Sequence, residues 1–303
     1  MIFYSIFEML VNTNFYHYNK SIDRLVNKQL SVSSKMLHKK IIHFFILFSA
    51  NVIIGYAQFG FSNEIGVITG PIEFRSDFGQ RQNESTNIGN AGVGFGIIHY
   101  VNFAYRADCN CYTTNTFFND HFKLRNEISW NKTELEHFGR WVSSDVTSDS
   151  AERLRGHRGE ANNFDIGMQL EFFPKSIRAF QAFDYKFAPF FSLGVHYTSF
   201  NPKASTNYVN SSGTNDVGNI LDPNNFYPLW EPGSINSNSG TTWSIVSSIG
   251  IRYKLGFLSD LMLDLRWQTY FDDFIDGLDH QLASNKANDW LLWLNFGYIY
   301  YID

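Results

Sequence analysis

The sequence predicts an all-β protein: an antiparallel transmembrane β-barrel of about eight strands, with periplasmic N- and C-termini. Three observations lead there. After residue 60, segments of alternating apolar and polar residues are separated by gaps that run long, medium, long, medium, long, very short, long. In a closed antiparallel barrel every second connection lies on the same side of the membrane. Outer-membrane barrels keep their short turns periplasmic and their long loops outside. Second, 17% of the residues are aromatic, with 30 Phe and 16 Tyr, a supply that two interfacial girdles would consume. Third, a mean hydropathy of -0.22 is too polar for a bundle of membrane helices. It suits strands that are apolar on one face.

Residues 41–54 are continuously apolar, with Lys39 and Lys40 before them and Gly55-Tyr56-Ala57 after. A basic start, a short apolar stretch and a small final residue make a secretory signal peptide. The run is too short for a membrane helix, which needs about 20 residues. The expected division is 1–35 as an extension upstream of the true start at Met36, 36–57 as signal peptide and 58–303 as the barrel domain. No Cys follows the expected cleavage point, so a lipoprotein anchor is not indicated.

The strands follow in order. Strand one, 63–70, turns Ile65 and Val67 outward. Strand two, 91–101, sets Val93, Phe95 and Ile97 against Gly92, Gly94 and Gly96. Strand three, 122–130, sets Phe122, Leu124, Ile128 and Trp130 against Lys123, Arg125, Glu127 and Ser129. Strand four, 164–172, alternates Phe164, Ile166, Met168, Leu170 and Phe172 with Asp165, Gly167, Gln169 and Glu171. Strand five, 187–198, opposes Phe191, Leu193, Val195 and Tyr197 to Ser192, Gly194 and His196. The sixth has Trp243, Ile245, Ile249 and Ile251 against Ser244, Ser248, Gly250 and Arg252. The seventh has Leu261, Leu263, Leu265 and Trp267 against Asp264, Arg266 and Gln268. The last, 290–302, sets Leu292, Leu294, Phe296, Tyr298 and Tyr300 against Asn295 and Gly297.

The apolar faces are assigned to lipid, because the polar faces carry charges of both signs among small residues. About eight strands enclose an interior that side chains fill. Lys123, Arg125, Glu127, Asp165, Glu171, Arg252, Asp264 and Arg266 are therefore expected to form an internal salt-bridge network, since buried charges demand partners. Its reading is structural, with a proton or ion path as the lesser alternative.

The outer loops are expected at 71–90, 132–160, 199–240 and 271–289. The third is long enough to require a reason. Its Tyr227-Pro228-Leu229-Trp230-Glu231-Pro232 run fits equally a lid packed over the mouth or a partner-binding patch. The periplasmic turns fall at 102–121, 174–186 and 255–259. The first is long for that side and holds Arg106, Asp108, Cys109 and Cys111, the candidates for contact with a periplasmic partner. In an oxidising compartment the Cys109-Asn110-Cys111 pair is open to a strained local disulfide or to two unpaired structural thiols. No further Cys or close His cluster completes a metal site around it.

Net charge of -5 leaves no basic footprint for nucleic acid, and the sequence calls for no cofactor. His137, His157 and His280 fall in the outer loops, with Asp145, Asp149, Glu160, Asp272, Asp273 and Asp276 near them in sequence. These are acid–base residue types, yet no nucleophile motif accompanies them. An enzyme is not expected, and no small-molecule substrate is indicated. The strand count argues against an open channel.

Several runs resemble the PorG-like outer-membrane β-barrels of Bacteroidota, which are associated with type IX secretion. Near the start stand Glu64-Ile65-Gly66-Val67-Ile68-Thr69-Gly70 and Ser76-Asp77-Phe78-Gly79. In the middle stand Pro189-Phe190-Phe191-Ser192-Leu193-Gly194-Val195 and, most specific, Phe200-Asn201-Pro202-Lys203-Ala204. Gly250-Ile251-Arg252-Tyr253-Lys254-Leu255 and Asp272-Asp273-Phe274-Ile275-Asp276 follow. The Cys-Asn-Cys turn departs from the family pattern, as a flavobacterial relative would. The resemblance implies a non-enzymatic anchor or scaffold set in outer-membrane lipid that contacts a periplasmic ring or lipoprotein. An adhesin or receptor, or a structural barrel, acting through the long outer loops is the alternative.

Overall fold

The structure, a computed structural model, describes residues 62–103, 117–280, 282 and 287–302. The expected leader and extension lie outside the described residues.

Nine strands close into one antiparallel barrel: β1 (Ser62–Arg75), β2 (Ala91–Asn102), β3 (Phe122–Leu135), β4 (His157–Phe172), β5 (Phe187–Phe200), β6 (Lys203–Thr206), β7 (Gly240–Gly256), β8 (Ser259–Tyr270) and β9 (Trp290–Tyr301). β1 pairs with β9, and β3 with β4, so no edge remains among them. β5 and β6 make one stave. The pairing Asn163↔Phe200 continues in unbroken register as Glu160↔Lys203. The break between them is Pro202, which has no N–H to give to the ladder, while the Asn201 N–H still donates to Asn162 O at 2.9 Å. The barrel therefore has the eight staves the pattern implies.

Burial alternates along every stave with the polarity inverted relative to a soluble protein. Phe95, Ile128, Ile166, Leu193, Ile249 and Leu265 are exposed on the outer wall. Lys123, Arg125, Glu127, Asp165, Arg252 and Arg266 are sealed within. The apolar wall is closed at both ends by aromatic side chains. At one end Tyr197 meets Trp243 at 5.1 Å, Trp267 stacks on Trp290 at 4.8 Å, and Trp130 Nε1 donates to Asn162 Oδ1 at 2.8 Å. At the other, Phe122 packs on Phe172 at 5.2 Å and Phe187 on Tyr253 at 5.0 Å. From Phe164 to Phe172 the strand advances roughly 25 Å, or roughly 20 Å along the membrane normal at a tilt of about 40°. That covers most of the apolar band of outer-membrane barrels, which is about 25 Å tall.

Several strands outrun their expected limits at the end that bears the long loops. β1 reaches Arg75, β3 reaches Leu135 and β4 begins at His157. There the outward residues become Lys132, Glu134, Arg158 and Glu160. Backbone pairing continues past the membrane, but the outer wall now meets water, so the apolar half of the alternation vanishes. The first three connections at this end shrink to 76–90, 136–156 and 207–239, and the fourth keeps its expected 271–289. Those at the opposite, hairpin end include α1 (Phe117–His121), α3 (Ile177–Gln181) and the Phe257-Leu258 turn. Between them in sequence, α2 (Asp149–Gly156) belongs to the second long loop.

Candidate functional site

The lumen is filled, in layers. Next to the hairpin end, Glu64 binds Lys123 Nζ at 2.5 Å and Arg252 Nη1 at 2.7 Å. Arg252 also faces Glu171 at 3.4 Å and Asp260 at 3.7 Å, while Lys254 lies 3.3 Å from Asp260. In the middle, Arg125 touches Glu127 at 2.8 Å, Asp264 at 3.2 Å and Glu171 at 3.4 Å, and Arg266 holds Glu127 at 2.6 Å. Of the eight charged residues assigned to the interior, Asp165 alone has no partner of opposite charge within ion-pair distance among the described residues. It accepts from Thr198 Oγ1 at 2.5 Å, Gln268 Nε2 at 2.9 Å and Asn131 Nδ2 at 3.2 Å. Sequence reasoning missed Glu64, Lys254 and Asp260. It also missed the bulky lumen residues Tyr100, Phe190 and Trp293. Trp293 fits because it lies over Gly94, where a Cβ would stand 2.3 Å from its ring.

Arg106, Asp108, Cys109 and Cys111 lie outside the described residues. The developed site is at the other end, where the four long connections fold together into a cap. The third loop is polar and rich in Asn, Ser and Gly, and its Asn and Asp side chains close their own backbone. Asn225 Nδ2 donates to the carbonyls of Asp216 and Asn219, both at 2.8 Å. Asn215 Nδ2 reaches Tyr208 O at 2.8 Å. Asp222 accepts from the N–H groups of Asp216 and Asn224. Such side-chain turns replace a regular ladder. The loops are then tied to each other. Asn236 N donates to Gly277 O at 3.0 Å, Asp279 N to Ser234 O at 2.7 Å, and Arg153 Nη1 to Phe226 O at 3.0 Å. α2 is capped by Ser148, whose side chain accepts from Ala151 N.

Trp230 is the centre of the cap and is 5% exposed. His137, His157 and His280 surround its ring at 5.8, 5.1 and 5.8 Å, from the second loop, β4 and the fourth loop. The three histidines singled out in the sequence are thus brought together around an indole. His157 Nε2 bonds Asn225 O at 3.2 Å. Burial holds His137 well below the usual imidazole range, and the adjacent His157 and His280 add to this; burial first and Arg81 next push His280 down to about 4. Phe78 packs on His137 at 5.1 Å and against Gly159, where a Cβ would lie 2.4 Å from its ring.

Beside this aromatic centre lies an acidic cluster shared by the first and fourth loops. Arg81 Nη1 meets Asp77 at 3.0 Å, and its Nη2 meets Asp273 at 2.5 Å and Asp289 at 2.9 Å. Asp77 N donates to Asp276 Oδ2 at 3.0 Å, and His280 N to Asp77 Oδ2 at 3.1 Å. Arg81 favours the ionised form of Asp77, but burial and the neighbouring Asp276 and Asp273 outweigh it and push Asp77 up to about 9. Burial raises Asp276 to about 7 and Asp273 to about 6. Carboxylate oxygens of Asp77, Asp273 and Asp279 lie within 4.8 Å of one another, a spacing suited to a cation. The Arg81 guanidinium already stands against two of the three. Of the other acids noted in sequence, Asp145 and Asp149 lie on the exposed second loop, and Glu160 on the outer wall pairs with Lys132 and Lys203. Ser76, whose hydroxyl bonds Asp276 and accepts from Phe78 N at 3.1 Å, is fully buried.

A cavity of about 300 Å³ opens between these groups, with Trp141, Phe138, Tyr227 and Trp230 among its walls and His137 and His280 at its polar side.

No protein-family model matches the chain, and no curated protein does. Among solved structures it is similar to Ail, the attachment invasion locus protein of Yersinia pestis, solved with the heparin analogue sucrose octasulfate. That likeness is 10% identical over 80% of this chain and 99% of that one, with a TM-score of 0.37. Neisserial surface protein A is 12% identical over 78% and 96%, at 0.36. A major outer membrane protein of Thermus thermophilus is 13% identical over 79% and 99%, at 0.39. The assignment to a class rests on the barrel itself, which is closed, antiparallel, apolar outside and charged within. The protein is a β-barrel of the bacterial outer membrane.

Proposed function

We propose that the protein is a non-enzymatic surface receptor or adhesin that acts through its cap, with the capped end facing the exterior. One observation carries this reading: four long connections are folded into a single packed body above a lumen closed by ion pairs. A channel would need an open interior, and a purely structural barrel would not need a cap with its own buried tryptophan. Long, ordered loops on a rigid barrel are where binding residues concentrate.

The test is a Leu229→Cys variant on a Cys109→Ser, Cys111→Ser background. A membrane-impermeant maleimide should label it in intact cells, and the purified protein should give no stepwise conductance in planar bilayers. Labelling only after lysis, or a steady pore, would overturn the proposal.

A second reading, a scaffold for type IX secretion or gliding, is supported by the resemblance running through Phe200-Asn201-Pro202-Lys203-Ala204. It places the partner at the 102–121 turn. Deletion of 104–116 should then abolish co-purification of periplasmic ring or lipoprotein components while the barrel still assembles. Unchanged recovery of those components would count against it.

A further inference from the structure

Three independent features of the cap cavity share one chemical preference. Its walls are aromatic, and part of its rim is apolar surface left in water: Trp141 is 54% and Leu229 67% exposed. That favours a ligand with an apolar body.

The second feature is an acceptor without a donor. His137 packs its ring on Phe78 at 5.1 Å and is held neutral by burial. Its Nε2 is buried with no hydrogen-bond partner. A neutral imidazole has one acceptor nitrogen, and a ligand donor at Nε2 would place the ring proton on Nδ1. A buried acceptor left unpaired costs roughly 1–3 kcal/mol, so a ligand that brings a donor gains by filling it.

The third feature is charge. Asp77 borders the cavity and belongs to a cluster with Asp273, Asp276 and Asp289. Among the described residues the ion-pairing cation of this cluster is Arg81. Asp289 Oδ2 is buried without a hydrogen bond. An added positive charge is favoured beside such a group, and aromatic faces attract it further.

From these we infer that the cap cavity binds an organic cation, an ammonium group on an apolar or aromatic body. The ammonium N–H would donate to His137 Nε2, its charge would favour ionisation of the Asp77 carboxyl that burial otherwise keeps protonated, and the body would pack on Trp230 and Trp141. An anionic ligand would add to the surplus of carboxyl groups over Arg81, and a neutral donor such as an alcohol gains the apolar contacts and the bond to His137 but no attraction of charge. The inference rests on the cap being a recognition surface.

The test uses the full protein in detergent micelles and three probes of similar shape: phenethylamine, 2-phenylethanol and 3-phenylpropionate. Binding is read by tryptophan fluorescence and calorimetry. The expected result is that the amine binds at least tenfold more tightly than the alcohol, with no detectable binding of the carboxylate. Trp141→Ala, at the exposed rim, should weaken the amine and the alcohol together. Asp77→Asn should reduce the amine's advantage and leave the alcohol unchanged. Equal binding of amine and alcohol would overturn the cation preference while leaving a small-ligand site in the cap. Binding of none would overturn the inference altogether, whereas the surface reading stands or falls separately on the labelling of Leu229→Cys. Calcium displacing the amine at micromolar concentration would assign the carboxylates to a divalent ion and also overturn it.

Discussion

Replacing Arg125 by methionine removes the hub of the lumen and keeps most of its volume. Arg125 is fully buried and faces Glu127, Asp264 and Glu171 at 2.8, 3.2 and 3.4 Å. The lumen holds five basic residues, Lys123, Arg125, Arg252, Lys254 and Arg266. Against them stand six acidic ones, Glu64, Glu127, Asp165, Glu171, Asp260 and Asp264. The variant leaves four against six and strips Asp264 of its arginine. Breaking a buried pair by removing one partner costs about 3–5 kcal/mol, or roughly a hundred- to several-thousandfold in the unfolding equilibrium. The assay is urea unfolding in lipid bilayers, followed by tryptophan fluorescence and by the mobility shift of the folded barrel on gels. Adding Asp264→Asn should recover at least about 1 kcal/mol, because the two sites share the interaction. Lys203→Ala, which removes an exposed pair with Glu160 on the outer wall, should cost less than about 1 kcal/mol. If Arg125→Met cost no more than that control, the lumen charges would have to be screened by water, and the view of a dry, ion-paired plug would be wrong.

Met168→Arg places a charge midway between the aromatic ends of β4, where lipid-facing arginine costs about 2–4 kcal/mol; a folding titration in bilayers measures it. Trp230→Ala should loosen the cap by about 3–5 kcal/mol, seen as faster amide exchange in 207–239 and 271–280 with β3 and β8 unchanged. Exchange lost equally in the strands would show that cap and barrel unfold as one. The cap should also loosen as pH rises from about 6.5 to 9. Asp77 and Asp276, raised to about 9 and about 7, keep protons in the fold that the unfolded chain gives up near pH 4. Their stabilisation is full below that pH and is lost as pH passes the raised values. His280, lowered to about 4, acts in the opposite direction, but only below about 6.5. Amide exchange of the cap at pH 6.5 and 9, corrected for intrinsic rates, checks the slope, and Asp77→Asn should flatten it.

The parts of the fold that could be read from sequence are those on which lipid imposes a rule. Ile166 must alternate with Asp165 and Gly167, because one side of β4 meets hydrocarbon and the other does not. Where the outer wall leaves the membrane, at Lys132 and Glu160, that rule ends and so did the expected strands, although the ladder goes on. Inside, the charges of β3 and β8 were visible as a set, but Glu64 was not. Its role depends on register, which brings Lys123 and Arg252 to it across 59 and 188 residues of chain.

The cap was the least legible part for a related reason. A loop in water needs no periodic pattern to fold. It needs each backbone group satisfied, and Asn, Ser and Asp do this in arrangements that leave only a polar composition in the sequence. Arg81 finds Asp273 and Asp289 across 192 and 208 residues, a pairing no local signal marks. The Tyr227-Pro228-Leu229-Trp230 run was the exception, since a tryptophan between prolines in a polar loop must find something to pack against. It finds three histidines and the wall of a cavity. The constraint that made the barrel predictable, a uniform solvent on one face, is absent where four loops must recognise something particular, and the residues proposed to do so are accordingly those that follow no period.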